Sequence, residues 1–301
     1  MTVKILVSDK IADEGINILE NHGFDVKRGW DIPKPDLPKV IGEYDVLIVR
    51  SATKVKGELL ENAKRLKVIG RAGDGLDNVD FEHAKQLSII IVNTPHVSYG
   101  SVSELAIGHL ITLARNIVQA TISMRDGKWE KDKLMGTELK GKTLGIIGCG
   151  FIGKDVERIA LALGMKVIVV EECVHDRFVP LGDMLPQADF ITIHVPLTPK
   201  TRHLISSKEF DLMKPGVRVI DCSRGGVIDQ EALYQALLSG KVAGAALDVF
   251  EEEPPKDRRL FALPNVITTP HMGAQTHDAQ HMASIQIAHN IIDALEKLNL
   301  G

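Results

Sequence analysis

Arg224, Glu253 and His271 stand 29 and then 18 residues apart in the last third of the chain. A histidine with a carboxylate partner works as a general acid and base near neutral pH, because the carboxylate orients the ring and raises its proton affinity. An arginine fork matches a carboxylate with a neighbouring carbonyl oxygen. Beside a nicotinamide, these three groups are what hydride transfer at C2 of a 2-hydroxy acid needs. Arg224 lies in "VIDCSRGGVID" (Val219–Asp229), where an apolar run meets an arginine and two glycines. Glycines permit tight or closely approached backbone, and strand ends are where open α/β sheets hold ligands. Taken alone, Arg224 is either a surface charge beside a turn or a fork aimed at an anion, and a lone His271 is more often packed or solvated.

A second motif supplies the missing partner. "LGIIGCGFIGKDVERIA" carries Gly148, Gly150 and Gly153 in G-x-G-x-x-G spacing, with Phe151 and Ile152 opening a helix. A strand precedes the loop, and a further strand ends at Glu171, 18 residues after Gly153. That context makes the pattern a dinucleotide fingerprint: one glycine for the turn, one for pyrophosphate approach, one for helix–strand packing. The pyrophosphate would sit on the helix N-terminus. Glu171 would hold the ribose hydroxyls and repel a 2′-phosphate, which favours NAD over NADP.

The elements that must position these groups alternate. Apolar runs at 3–8, 45–51, 66–73 and 89–95 read as strands, with helices at 12–23 and 56–65. After one long helical stretch over 101–129, a second series runs 143–148, 166–171, 189–196, 217–223, 242–250 and 265–271, closed by a helix over 277–299. Alternating strands and helices imply parallel sheets covered on both faces. The expected fold class is α/β: two Rossmann-like doubly wound parallel-sheet domains with the active site in the cleft between them. Residues 1–97 and 277–301 form a discontinuous substrate-binding domain and residues 98–276 the NAD-binding domain.

Composition agrees with two domains. The 301 residues are 44% hydrophobic and 25% charged, ordinary values for a globular chain. A net charge of -4 argues against a general nucleic-acid binder. No apolar run approaches the ~18 residues of a membrane span, and the first residues read as a strand, not a signal peptide, so a cytoplasmic location is expected. Cys149, Cys173 and Cys222 are too few and scattered for a disulfide framework or a zinc site, and no metal is expected.

Several longer blocks resemble the D-isomer-specific 2-hydroxyacid dehydrogenases, and most of all their phosphoglycerate-oxidising branch. They are "LIVRSATKV" (47–55), "GRAGDGLDNVD" (70–80), "DGKWEKDKLMGTELKGKTLGIIG", "GAALDVFEEEPP" and "PHMGAQT". The resemblance covers nearly the whole chain. It implies Arg224 as the substrate-orienting arginine, Glu253 as the catalytic carboxylate and His271 as the acid/base. Asp248 becomes the ligand of the nicotinamide carboxamide. His194, Pro196, Cys222 and Ser223 complete the NAD site. Ala72, Gly73 and Gly75 would bind the substrate carboxylate through backbone, Arg50 and Arg71 would serve a phosphate, and Ser51 and Lys131 would also bind substrate. The reaction implied is NAD-dependent oxidation of a 3-phosphorylated D-2-hydroxy acid, at the start of serine synthesis.

There are departures. Lys131 stands where this branch has an arginine. Only five residues, Glu172 to Asp176, separate Glu171 from the next recognisable block, where a parallel crossover takes about a dozen. Many members continue into a serine-sensing regulatory domain beyond the position of Gly301. A glyoxylate or hydroxypyruvate reductase is the alternative enzyme, and an NAD(H)-binding corepressor that recruits partners is the alternative outside catalysis. Arg50 and Arg71 could also be plain surface ion pairs. The long helix near 101–121 is either core or the contact of a homodimer through the NAD-binding domain.

Overall fold

The computed structural model describes residues 2–170 and 179–300. Glu171, Cys173 and the short connection after Glu171 lie outside these described residues. The chain divides into two compact units, Met1–Ser98 with Ala274–Gly301, and Tyr99–Gly273. The second crossing thus falls three residues earlier than the sequence suggests. Gln275 explains the shift, since its side-chain oxygen accepts a hydrogen bond from Arg50 of the first unit.

The first unit is a five-stranded parallel sheet of β1 (Lys4–Val7), β2 (Asp25–Arg28), β3 (Val46–Val49), β4 (Val68–Arg71) and β5 (Ile90–Asn93). Its order is β2-β1-β3-β4-β5, so the strand order reverses between β1 and β3, where such sheets open a crevice. β1 and β3 are near-continuous apolar runs because both faces are covered. The edge strand β2, "DVKR", is mostly exposed and gives no such run, which is why the sequence hides it. The terminal helix His277–Lys297 packs Ile287, Ile291 and Leu295 into this unit's core. It crosses the helix Asp13–Asn21 so closely that a Cβ on Gly15 would overlap the backbone carbonyl of Ser284.

The second unit carries six parallel strands, β6 (Thr143–Ile147), β7 (Lys166–Val170), β8 (Phe190–Ile193), β9 (Val217–Asp221), β10 (Val242–Leu247) and β11 (Val266–Thr268). They lie in the order β11-β10-β9-β8-β6-β7, with the reversal between β6 and β8. The loops after β6, β8, β9, β10 and β11 therefore all emerge at one carboxyl edge. The single helix expected over 101–129 is two, Tyr99–Arg115 and Ile117–Arg125, bent by 65°. Asn116 sits between them in the left-handed region at φ 52°, a conformation asparagine tolerates better than most residues. The first of the pair buries Val102, Ala106, Leu110 and Leu113 against the sheet. Among the described residues no single helix is long and apolar enough to cross a membrane.

Replacing Gly15 with Ala gains helix propensity yet forces a methyl onto a backbone carbonyl. The expected net effect is a loss of about 1–3 kcal/mol, seen as a lower urea midpoint; a variant as stable as the parent would contradict the packing.

Candidate active site

Asp221 ends β9 and is buried. Its Oδ1 accepts bonds from the backbone N–H of Ser223 at 2.8 Å and from the Ser223 hydroxyl at 2.6 Å. This Asx-type turn reverses the chain so that Arg224 leaves the sheet edge, with its Nη1 donating to the Ser223 carbonyl at 2.8 Å. Gly225 follows because a Cβ there would run into the carbonyl of Phe250. Gly226 lies at φ 87°, where a side chain would be strained. The two glycines thus let the Arg224 turn and the loop after β10 share one space.

That second loop presents Glu253. Its Oε1 accepts from the backbone N–H of Phe250 at 3.2 Å, and its Oε2 lies 2.8 Å from Nδ1 of His271. With Nδ1–H given to a carboxylate, Nε2 is the ring nitrogen left to exchange a proton with a ligand. The bond from Glu253 raises the His271 pKa above its ordinary 6.5, against burial and the Arg224 charge. Burial pushes Glu253 up, but the His271 bond, the imidazolium and Arg224 together bring it below its ordinary 4.5. Glu253 therefore stays ionised wherever His271 titrates.

The loop carrying His271 is held from beneath. His271 itself has φ 50°, uncommon for a residue with a side chain. Asp248, 1% exposed at the end of β10, accepts through Oδ1 from the Thr269 hydroxyl at 2.6 Å and from Met272 N–H at 2.8 Å. Its Oδ2 accepts from Gly273 N–H at 2.9 Å. The residue expected to be a carboxamide ligand is thus first an anchor of the loop carrying His271. One lone pair on Oδ2 is what it retains for a ligand.

The glycine loop fits a dinucleotide. Gly148 lies at φ 101°, and a Cβ there would meet the His194 carbonyl at 2.5 Å. On Gly153 it would overlap the carbonyl of Gly148, whereas on Gly150 it would meet open space. The helix Phe151–Ala162 starts there with no side-chain cap and no acidic residue in its first turn, leaving its N-terminal end to an anion. Gly150, Phe151, Ile152 and Gly153 would hold the pyrophosphate of NAD through backbone.

The other expected cofactor residues are partly committed elsewhere. His194 shares a 2.9 Å bond between Nε2 and the Thr192 hydroxyl, its Nδ1 is buried without a partner, and burial drops its pKa to about 3. Pro196 is exposed, and its carbonyl accepts from the Thr201 hydroxyl at 2.6 Å. Cys222 is a free, buried thiol whose pKa burial pushes well up, and the Ser223 hydroxyl is spent on Asp221. Only backbone of these two remains for a ligand. Cys149 is disulfide-bonded, against the expectation that the three cysteines are too few and scattered for a disulfide framework.

In the first unit the expected substrate residues gather at the carboxyl ends of β3 and β4. Asp9 is 6% exposed and accepts from Arg50 N–H, Thr53 N–H, the Thr53 hydroxyl and Lys34 Nζ at 2.6–3.0 Å. It fixes the loop bearing Arg50 and Ser51, and Asn78 closes the loop by donating to the carbonyls of Arg50 and Thr53 at 2.7 Å. Arg50 reaches Gln275 at 3.0 Å. Arg71 ends β4 and folds over Gly73, whose φ of 143° follows Ala72; Gly75 lies just after this bend. Lys131 is exposed at the start of a 3₁₀ turn, Lys131–Leu134, and makes no hydrogen bond or ion pair with Arg224, Glu253 or His271.

Comparison with known proteins points to one family, with several activities named among its members. Residues 107–273 match the family described as "D-isomer specific 2-hydroxyacid dehydrogenase, NAD binding domain". The chain is 49% identical to D-3-phosphoglycerate dehydrogenase of Methanocaldococcus jannaschii over 96% of its own length but only 57% of that protein's. It is 45% identical to hydroxypyruvate reductase of Thermotoga maritima, over 97% of this chain and 98% of that one. D-lactate dehydrogenase of Aquifex aeolicus, solved with NAD and lactic acid, superposes with a TM-score of 0.83 at 28% identity, covering 99% of this chain and 96% of that one.

The pair makes a pH prediction whose sign is fixed. Its stabilisation is lost as pH rises through the raised His271 pKa, above 6.5, and as pH falls through the lowered Glu253 pKa, below 4.5. Glu253→Gln should move the His271 titration to lower pH, followed by ring ¹⁵N NMR. An unmoved midpoint would mean that Glu253 does not control the ring.

Proposed function

The chain belongs to the D-isomer specific 2-hydroxyacid dehydrogenases, and we propose that it oxidises D-3-phosphoglycerate to 3-phosphohydroxypyruvate, the opening step of phosphorylated serine synthesis. The observation that carries the chemistry is the 2.8 Å His271–Glu253 pair under the influence of Arg224 at the carboxyl edge of the dinucleotide sheet. NAD, when bound, supplies the hydride acceptor. Arg224 would grip the substrate carboxylate and C2 oxygen with its fork. His271 Nε2 takes the 2-hydroxyl proton in oxidation and returns it in reduction. The backbone of Ala72, Gly73 and Gly75 is assigned to the same carboxylate, and Asp248 Oδ2 to the carboxamide.

Two cations support the phosphorylated substrate. Arg50 and Arg71 stand at adjacent strand ends of the first unit, Arg50 on a loop fixed by Asp9 and Asn78 and Arg71 as the last residue of β4, and a phosphate needs placed donors. The hydroxypyruvate reductase reading draws on the Thermotoga relative, which this chain matches from end to end. A partner-recruiting module would need neither arginine.

We also propose a homodimer through the NAD-binding unit. Ile117, Ile122, Met124, Trp129 and Met135 are exposed, and a groove of about 640 Å³ lies between Ile111, Arg115, Ile117, Ala120, Thr121, Met124 and Arg125. Exposed apolar surface of this kind marks an interaction site.

NADH oxidation with equal 3-phosphohydroxypyruvate, hydroxypyruvate and glyoxylate tests the substrate. The expected result is a preference of at least about tenfold for the phosphorylated acid, collapsing when Arg50 or Arg71 becomes Ala. Equal use of the unphosphorylated acids would make it a general reductase, and peptide binding without turnover a recruiting module. His271→Ala should cut kcat by about 10²–10⁴ with NADH affinity nearly intact; near-normal turnover removes His271 from the mechanism.

A further inference from the structure

His109 is buried in the middle of the helix Tyr99–Arg115, 5% exposed, far in sequence from every motif above. Its Nε2 lies 3.2 Å from the hydroxyl of Thr269. That hydroxyl is 2.6 Å from Asp248 Oδ1. A carboxylate only accepts, so the single hydroxyl proton of Thr269 goes to Asp248. Toward His109 the oxygen can then only accept, which requires the proton on His109 Nε2. The direction of the chain is therefore fixed: His109 Nε2–H to Thr269, Thr269 O–H to Asp248.

Asp248 in turn holds Met272 N–H and Gly273 N–H, the two amides that follow His271. A left-handed residue with a side chain persists only where its surroundings over-determine it. Here the determinants are these two amides, the 3.0 Å turn bond from His271 N–H to the Thr269 carbonyl, and the Glu253 pair. Thr269 enters twice, through its carbonyl and its hydroxyl. We propose that His109 is a positioning residue for His271, acting through Thr269 and Asp248 to hold the acid/base loop in its left-handed turn. Burial keeps His109 below its ordinary pKa, against the opposing pull of Asp248, so it remains a neutral, one-directional donor while His271 titrates. The charged groups acting on His271 are Glu253 from the loop after β10, Arg224 from the turn after β9 and Asp248 below.

The proposal rests on the reading of His271 as acid/base, so its test has a readout that does not need catalysis. In the full chain, His109→Leu and Thr269→Val each remove one link, while His109→Gln and Thr269→Ser retain a donor or hydroxyl. Ring ¹⁵N NMR should show the His271 midpoint falling in His109→Leu and Thr269→Val, with kcat down about tenfold and KM for NADH within twofold. The Gln and Ser variants should recover most of both. The double variant should fall no further than Thr269→Val alone, because the two residues lie on one chain. An unmoved His271 midpoint in folded Thr269→Val, or fully additive losses, would overturn the proposal. Should Thr269→Val fail to fold, Thr269→Ser against His109→Leu decides the same question. If His271→Ala keeps its turnover, the acid/base reading fails, while a shifted midpoint in His109→Leu would still support the positioning chain.

Discussion

The buried carboxylate of Asp248 is the constraint around which the loops of the second unit are arranged. A charge 1% exposed is costly unless its oxygens are satisfied, and here the satisfying groups come from one loop. Thr269, Met272 and Gly273 all donate to it, while its own N–H reaches the carbonyl of Asp221 at 2.9 Å. One residue thus ties the ends of β9 and β10 to the segment after β11. Removing that carboxylate would leave two amides and a hydroxyl without acceptors at the very point where the chain turns left-handed. The three hydrogen bonds to Asp248 offset both the desolvation cost of the charge and the strain of the turn.

Close approach is the second device. Parallel strands deliver their loops to one edge, but loops with ordinary side chains would stand apart. Gly225 admits the carbonyl of Phe250, and Gly153 admits that of Gly148. The first contact brings Arg224 beside Glu253, and the second seats a helix N-terminus under the dinucleotide loop. The first unit solves the same problem differently. At the reversal between β1 and β3 it buries Asp9, which gathers two backbone amides, a hydroxyl and Lys34. In both units a carboxylate at the carboxyl edge organises the loop that bears the functional cation or acid.

What the sequence makes legible follows from this physics. Strands buried on both faces announce themselves as apolar runs, so ten of the eleven strands among the described residues can be read directly; β2, a "DVKR" edge with one partly buried valine, cannot. The long helical pattern is read correctly as apolar but hides its break, since Asn116 in a helix looks like any polar residue until its φ is seen. Arg224, Glu253 and His271 are legible because their chemistry and spacing are visible in one dimension. Asp221 carries a faint signal, an Asp two residues before a Ser at a strand end. His109 carries none: its partner is 160 residues away, and an apolar helix with one histidine reads as core. Asp248 is legible as a functional acid, but whether it faces ligand or loop is a tertiary fact.

The three acids around Arg224 show why their placement matters more than their number. Asp221 is fully buried, and burial with the nearby Asp248 charge lifts it to about 6 despite the Ser223 bonds and Arg224. Glu253 is pulled the other way by His271 and Arg224. Pushing neighbouring carboxyl groups apart in pKa is how one site assigns them different work. Glu253 remains the permanent counter-charge of the imidazole. Asp221, by contrast, has its charge opposed by burial and by Asp248 while its Oδ1 holds the Ser223 turn.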